Sequence, residues 1–196
     1  MTQQNANNTT SVVLVGVGGQ GSLLASKLLG RLLTDEGYDV KVSEVHGMSQ
    51  RGGSVVTYVK YSEKVYSPII DKGEADIILA FEMLEAYRAM PYLKKGGKMI
   101  VNTQEIAPMP VITGAAKYPE NIAEKLAENL DVTCVDALSL AVEAGNSKAV
   151  NVVLIGLMAK NTDIAYEKWV ETIRSTVPEK FLDINLKAFD FGYYHK

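Results

Sequence analysis

Short apolar runs alternate along this chain with longer stretches of helical period. Residues 11–15 (SVVLV) are apolar and β-branched and stop at Gly16, the pattern of a strand covered on both faces. From residue 20 to 34 the spacing changes. Leu24, Leu28 and Leu32 share one stripe, flanked by Leu29 and Leu33, while Lys27, Arg31 and Asp35 take the wet side. Gly37 ends that helix, and residues 39–45 alternate as a second strand. A glycine-bearing loop covers 46–53. Residues 54–61 predict a third strand and 64–70 a fourth, closed as a hairpin across Ser62 and Glu63.

The buried-strand pattern returns at 75–80 (ADIILA), followed by a helix over 82–94 that Pro91 kinks or shortens and Gly96-Gly97 closes. Residues 98–102 make the next strand. Pro108 and Pro110 mark 103–117 as irregular or edge structure. Beyond it the pattern predicts a helix over 119–129, a strand over 131–135 and a short helix over 137–144. A long helix, capped by Asn146 or Ser147, runs to 160, and further helices cover 163–176 and 179–187. Strands alternating with helices imply an α/β class fold: a three-layer α/β/α arrangement around a mostly parallel sheet, with the hairpin as its antiparallel part. Residues 1–10 are polar and predict a disordered tail, leaving 11–196 as a single domain.

Composition narrows the function. Net charge is -3, against the basic excess of a nucleic-acid binder, and no apolar run is long enough for a membrane span. The polar start has no signal-peptide pattern, so a cytoplasmic location is the default expectation. There is one cysteine, Cys134, expected as a buried, inert thiol. A cluster held by about four thiolates is beyond this chain alone. With His46 and His195 the only histidines, nothing in the spacing suggests a metal site.

Gly16-Val17-Gly18-Gly19-Gln20-Gly21 joins the first strand to the first helix. Glycines there permit a sharp turn and close backbone approach, and the helix start offers free N–H groups to a phosphate. Glu44, about 20 residues on, matches the position of a ribose-binding acid. The turn does not distinguish NAD from coenzyme A, since both carry a pyrophosphate, and it can also serve strand-to-helix packing alone. A second loop follows, with His46, Ser49, Gln50, Arg51, Gly52 and Gly53. Arg51 presents a planar charged fork suited to carboxylate or phosphate, and the two glycines can form an N–H nest beside it. Arg51 can equally pair with Glu44 or Glu63 at the surface, and His46 can merely cap its strand. Asp136 suits a helix cap.

GVGGQG, then EVHGMSQRGGSV, then EADIILAFEMLEA, in that order, resemble the gamma subunit or gamma domain of 2-oxoacid:ferredoxin oxidoreductases. EVHGMSQRGG is most similar to the small (beta) subunit of the indolepyruvate type. The resemblance implies oxidative decarboxylation of a 2-oxoacid with coenzyme A to acyl-CoA, carbon dioxide and reduced ferredoxin. Thiamine diphosphate, its Mg2+ and the iron–sulfur clusters would sit on a larger partner subunit, through which ferredoxin is reached. In agreement, the chain lacks a GDG…N stretch. The positions carried over are Gly16, Gly18, Gly19, Gln20, Gly21, His46, Ser49, Gln50, Arg51, Gly52 and Gly53, as a coenzyme A-handling surface. None has an assigned catalytic role, with His46 the one candidate. The isolated chain is expected to be inactive, with a homodimer left open. An NAD(P)-dependent dehydrogenase and a non-catalytic nucleotide-binding module are the alternatives.

The near-continuous apolar helix ending at 160 is expected in the core, and the aromatic end, Phe189 to Tyr194, on a partner or a second copy.

Overall fold

The computed structural model describes residues 9–47 and 52–195. Its sheet has six strands: β1 (Thr10–Val17), β2 (Asp39–His46), β3 (Ser54–Ser62), β4 (Ala75–Ala80), β5 (Leu93–Asn102) and β6 (Asp131–Val135), in the order β2-β3-β1-β4-β5-β6. β1, β4, β5 and β6 run parallel, while β3 is antiparallel to both β1 and β2. The expected three-layer α/β/α class, mostly parallel with an antiparallel hairpin, is what the structure has.

Alternation along β1 and β4 explains the layers. Val12, Leu14, Ile77 and Leu79 face one core, shared with α1 (Ser22–Asp35), α5 (Ala137–Ala144), α6 (Val150–Ala159), α7 (Tyr166–Thr176) and α8 (Leu182–Tyr193). Val13, Val15, Ile78 and Ala80 face the other, closed by α2 (Met83–Ala89) and α4 (Ile122–Ala127). A strand with apolar side chains on both faces is stable only with a helical layer on each side. In α1 Leu28, Leu29, Leu32 and Leu33 are buried, Leu24 is half-buried, and Lys27, Arg31 and Asp35 are exposed, as the helical period required.

Several expectations are corrected. The hairpin pairs β3 with β2 across the loop at 47–53, not with 64–70, which form no strand. Residues 64–70 lack strict alternation and contain Pro68. Thr10, placed in the tail, already belongs to β1; residues 1–8 lie outside the described residues. Gly96-Gly97 do not cap a helix. The helix stops at Ala89 ahead of a 3-10 turn at Met90–Tyr92, and the glycines lie inside β5 where its register against β4 shifts. A Cβ on Gly97 would lie 2.9 Å from the carbonyl oxygens of Ala75 and Asp76, so the bulge admits only glycine there.

The C-terminal aromatics are also placed differently. Residues 182–193 are one helix, α8, packed along α6, and Phe189 is fully buried in this chain's own core. Gly156 and Gly192 bring the two helices into backbone contact, so Phe189 is internal, while Phe191 and Tyr193 are half-buried and Tyr194 is exposed. All ten residues of α6 are buried, as its composition predicted. Cys134, by contrast, is exposed, because β6 is an edge strand. Partial desolvation and nearby Glu124 push its thiol pKa up, which disfavours the reactive thiolate.

Candidate functional site

From β1 the chain moves through α1 to β2 and β3 on one side, then crosses to β4 on the other side of β1. Helices α1 and α2 therefore leave neighbouring parallel strands toward opposite faces. The carboxyl ends of β1 and β4 form the crevice at which ligands settle in open α/β sheets. The first glycine turn lies there.

Its glycines are needed for different reasons. A Cβ on Gly16 would sit 2.9 Å from both Gln20 Oε1 and Phe81 Cβ, and one on Gly21 would sit 2.6 Å from Asn151 Nδ2. Packing explains those two. Gly19 (φ +103°) and Gly52 (φ +75°) take left-handed backbone with open space where a side chain would be. Those are the places where a ligand can reach the peptide groups. Gly21 also serves as the N-cap of α1, with no side chain covering the helix's first N–H groups.

The two glycine turns are bonded to each other. Gly18 donates its amide to the Gly53 carbonyl at 2.8 Å, and Gly52 returns an amide to the Gly18 carbonyl at 3.4 Å. Gly18, Gly19, Gly21, Glu44 and His46 line one cleft of about 400 Å3. His46 is exposed at the end of β2, where among the described residues the carbonyl of Gly47 lies near its ring, at 3.4 Å. Nothing among the described residues orients it as a general base. Ser49, Gln50 and Arg51 lie outside the described residues.

Gln20 is engaged in the scaffold. Its Oε1 accepts from the Val17 amide at 2.8 Å, and its Nε2 donates to the Phe81 carbonyl at 2.9 Å and to Gln104 Oε1 at 3.3 Å. This side chain ties the ends of β1, β4 and β5 together.

Of the further residues at this edge, the sequence analysis singled out only Asp136, as a helix cap. Asn102 is fully buried; it donates to the Phe81 carbonyl at 3.0 Å and accepts from the Ala137 amide at 3.1 Å. Glu82, also fully buried, accepts from the amides of Glu85 and Ile106 and from the Tyr118 hydroxyl. Burial and that carboxylate push the Tyr118 pKa above its ordinary value, so the hydroxyl stays a donor. Glu85 accepts from Ser54 Oγ and from Arg88, both at 2.5 Å. Asp136 caps α5 by accepting the Ser139 amide at 2.9 Å. Among sequence signals, only an acid just after a buried strand could have pointed to Glu82.

A second cleft, of about 530 Å3, opens on the other side of Gly19 and Gly21 and is bordered by Gln104 and Lys148. A larger one of about 690 Å3 lies at the amino-terminal end of the parallel strands, around the Lys94–Asp76 pair. It touches neither glycine turn, so its size is a weaker guide than the switch-point chemistry. No three His, Cys, Asp or Glu side chains among the described residues come together as metal ligands.

Residues 11–194 match the model of the pyruvate ferredoxin/flavodoxin oxidoreductase family. The chain belongs to this family. Within it, the chain is 46% identical over 188 residues to the indolepyruvate oxidoreductase subunit IorB of Pyrococcus horikoshii, covering 93% of each. It is 28% identical over 177 residues to the common gamma subunit of the pyruvate/ketoisovalerate oxidoreductases of Pyrococcus abyssi, covering 88% of this chain and 89% of that one. Its fold is that of the gamma subunit of a keto/oxoacid ferredoxin oxidoreductase from Geobacter sulfurreducens, with a TM-score of 0.70 at 24% identity over 94% and 96% of the two chains. The family resemblance read from the loop motifs is thereby borne out.

Proposed function

We propose that this chain is the small subunit of an indolepyruvate-type 2-oxoacid:ferredoxin oxidoreductase. Its part is to present the bonded glycine turns as a binding surface for coenzyme A. The overall reaction cleaves the carboxylate of the 2-oxoacid as carbon dioxide, joins the acyl group to the thiol sulfur of coenzyme A, and passes the electrons to ferredoxin. The electron transfer belongs to a larger subunit, because one cysteine cannot supply the roughly four thiolates a cluster takes, and the decarboxylation is assigned to that same partner with its thiamine diphosphate.

The observation that carries this reading is the reciprocal contact of Gly18 with Gly52 and Gly53. It sets the open backbone at Gly19 beside the open backbone at Gly52, at the switch point, next to the first turn of α1, whose N–H groups no side chain caps and a phosphate ester can take. Coenzyme A is a phosphate ester with a long neutral arm. Held by its pyrophosphate here, it can extend its thiol into a neighbouring active centre. The chain's own groups bind and orient; they perform no proton transfer on the substrate.

The experiment is to combine the chain with the large subunit and assay several 2-oxoacids. Activity with indolepyruvate, absent from either subunit alone, is expected. Arg51→Ala should raise the coenzyme A KM by on the order of tenfold or more, the loss of one charge-assisted contact. An unchanged KM removes the second loop from the coenzyme A site. Glu44 in the cleft favours one other reading, a nicotinamide dinucleotide held by its ribose. A thermal shift of the isolated chain with NAD or NADP, and none with coenzyme A, would favour that reading instead.

A further inference from the structure

We propose that Lys148 is the cation that receives the phosphate end of the co-substrate, in the cleft between the glycine turn and segment 146–151. The inference rests on the reading that the turn holds a phosphate ester, and it names a cation of this chain for that ester.

Gly19 and Gly21 border two clefts, and the clefts differ in charge and in hydrogen-bonding character. The one toward β2 contains the Glu44 carboxylate and His46, and no lysine or arginine among its described lining residues. The other contains Lys148 and no acid among its described lining residues. Lys148 has no carboxylate partner among the described ion pairs. An anion placed beside Lys148 meets an opposite charge, with no acid among the described lining of that cleft.

The neutral groups point the same way. Gln104 Oε1 already accepts from Gln20 and from Asn102, so its amide nitrogen is the end left for a ligand. Asn151 Oδ1 accepts from the Val152 amide, while Asn151 Nδ2 holds the Gly21 carbonyl at 3.2 Å. The side-chain amide acceptors of this cleft are thus spent, and what remains is the Lys148 ammonium, the Gln104 N–H groups and the Ser147 hydroxyl. That is a set of donors, suited to phosphate oxygens.

Local structure fixes where the lysine stands. Asn146 is extended, and its side chain accepts the Lys148 amide at 2.9 Å, opening a 3-10 turn, Ser147–Ala149, that leads into the wholly buried α6. Ser147 and Lys148 are the exposed residues of a turn anchored on both sides. Leu24, Leu138 and Val150 supply apolar wall below it, on which a neutral organic arm can lie. The cleft beside Glu44 is left for a hydroxyl-bearing part of the ligand, which a carboxylate accepts.

The test uses the reconstituted two-subunit enzyme, with coenzyme A and the 2-oxoacid varied separately. Lys148→Met should raise the coenzyme A KM by on the order of tenfold to a hundredfold and flatten its dependence on salt, with the 2-oxoacid KM unmoved. Lys148→Arg should restore much of the affinity. Lys27→Met, which removes a charge from the outer face of α1, controls for net charge and should leave the KM alone. If Arg51→Ala weakens coenzyme A and Lys148→Met does not, the coenzyme A reading stands and Lys148 is excluded. If neither substitution moves the KM, both fail. Equal losses in Lys27→Met and Lys148→Met would also overturn the inference, since the effect would then be one of net charge.

Discussion

Ser54 donates its hydroxyl to the Glu85 carboxylate at 2.5 Å, joining the first residue of β3 to the first turn of α2. Ser54 directly follows Gly53, the residue whose carbonyl accepts the Gly18 amide. A buried acid on one face of the sheet is therefore one step from the contact between the two glycine turns.

Glu85 is 4% exposed, and its other oxygen takes Arg88 at 2.5 Å. Replacing it by Ala leaves Ser54 without its acceptor and Arg88 without its counter-ion. Glu85→Ala should lower unfolding free energy by on the order of 1–3 kcal/mol, measured by urea denaturation. Ser54→Ala should cost less, because the carboxylate keeps Arg88. If Ser54→Ala proves the more damaging, the bond matters for the loop and not for the charge balance of Glu85.

Gln20 gives a second prediction, since its amide holds the Val17 amide, the Phe81 carbonyl and Gln104. Gln20→Ala should destabilise by about 1–3 kcal/mol, with unpaired groups left at the ends of β1 and β4. Gln20→Glu should be worse at neutral pH, because a carboxylate would face the Phe81 carbonyl and Gln104 Oε1 in place of a donor. Comparing thermal unfolding of the two variants checks this; a Glu variant as stable as wild type would show that the amide is not a structural latch.

Several tyrosines make the fold sensitive to alkali. Burial and the neighbouring Tyr92 push Tyr58 up to about 12, and burial or carboxylates also raise Tyr61, Tyr118 and Tyr166. Each loses its proton more readily when unfolded, so the stability they contribute is fully present below about pH 10 and is lost as pH rises through the folded values. Urea midpoints should fall steeply from pH 10 upward. Absorbance titration should show a group of phenols that ionise only together with unfolding. A midpoint flat between pH 10 and 12 would contradict the linkage.

What was legible in the sequence was local or periodic. The runs at 11–15 and 75–80 identified β1 and β4, and the leucine stripe gave both the existence and the buried face of α1. The glycine turn was visible because its backbone demands are local. The hairpin partner was not: β3 pairs with β2 across a loop, and the choice between neighbours before and after it depends on the whole sheet. Gly96-Gly97 read as a helix end, since a bulge inside β5 has the same local composition as a cap. Lys148, Asn102 and Gln104 had no sequence signal, because each meets the turn only through long-range folding. The aromatic end misled for a related reason, as the surface that covers Phe189 is α6, far back in the chain.

That last contact supports the sharpest prediction. A Cβ on Gly156 would run into the Phe189 carbonyl and the Tyr193 amide, and one on Gly192 into the Val153 carbonyl. The obstacles are backbone atoms of α8 and α6, so no rotamer change relieves them, and the helices would have to separate. Gly-to-Ala in a helix normally gains about 1 kcal/mol of propensity. Here the sign should reverse, with Gly156→Ala and Gly192→Ala each costing on the order of 1–3 kcal/mol or more. Gly30, in α1, has only Val42 near, at 3.6 Å from a Cβ, and Gly30→Ala should be neutral or stabilising. Chemical denaturation of the three variants checks the contrast: equal effects at Gly156, Gly192 and Gly30 would mean that α6 and α8 do not pack backbone to backbone.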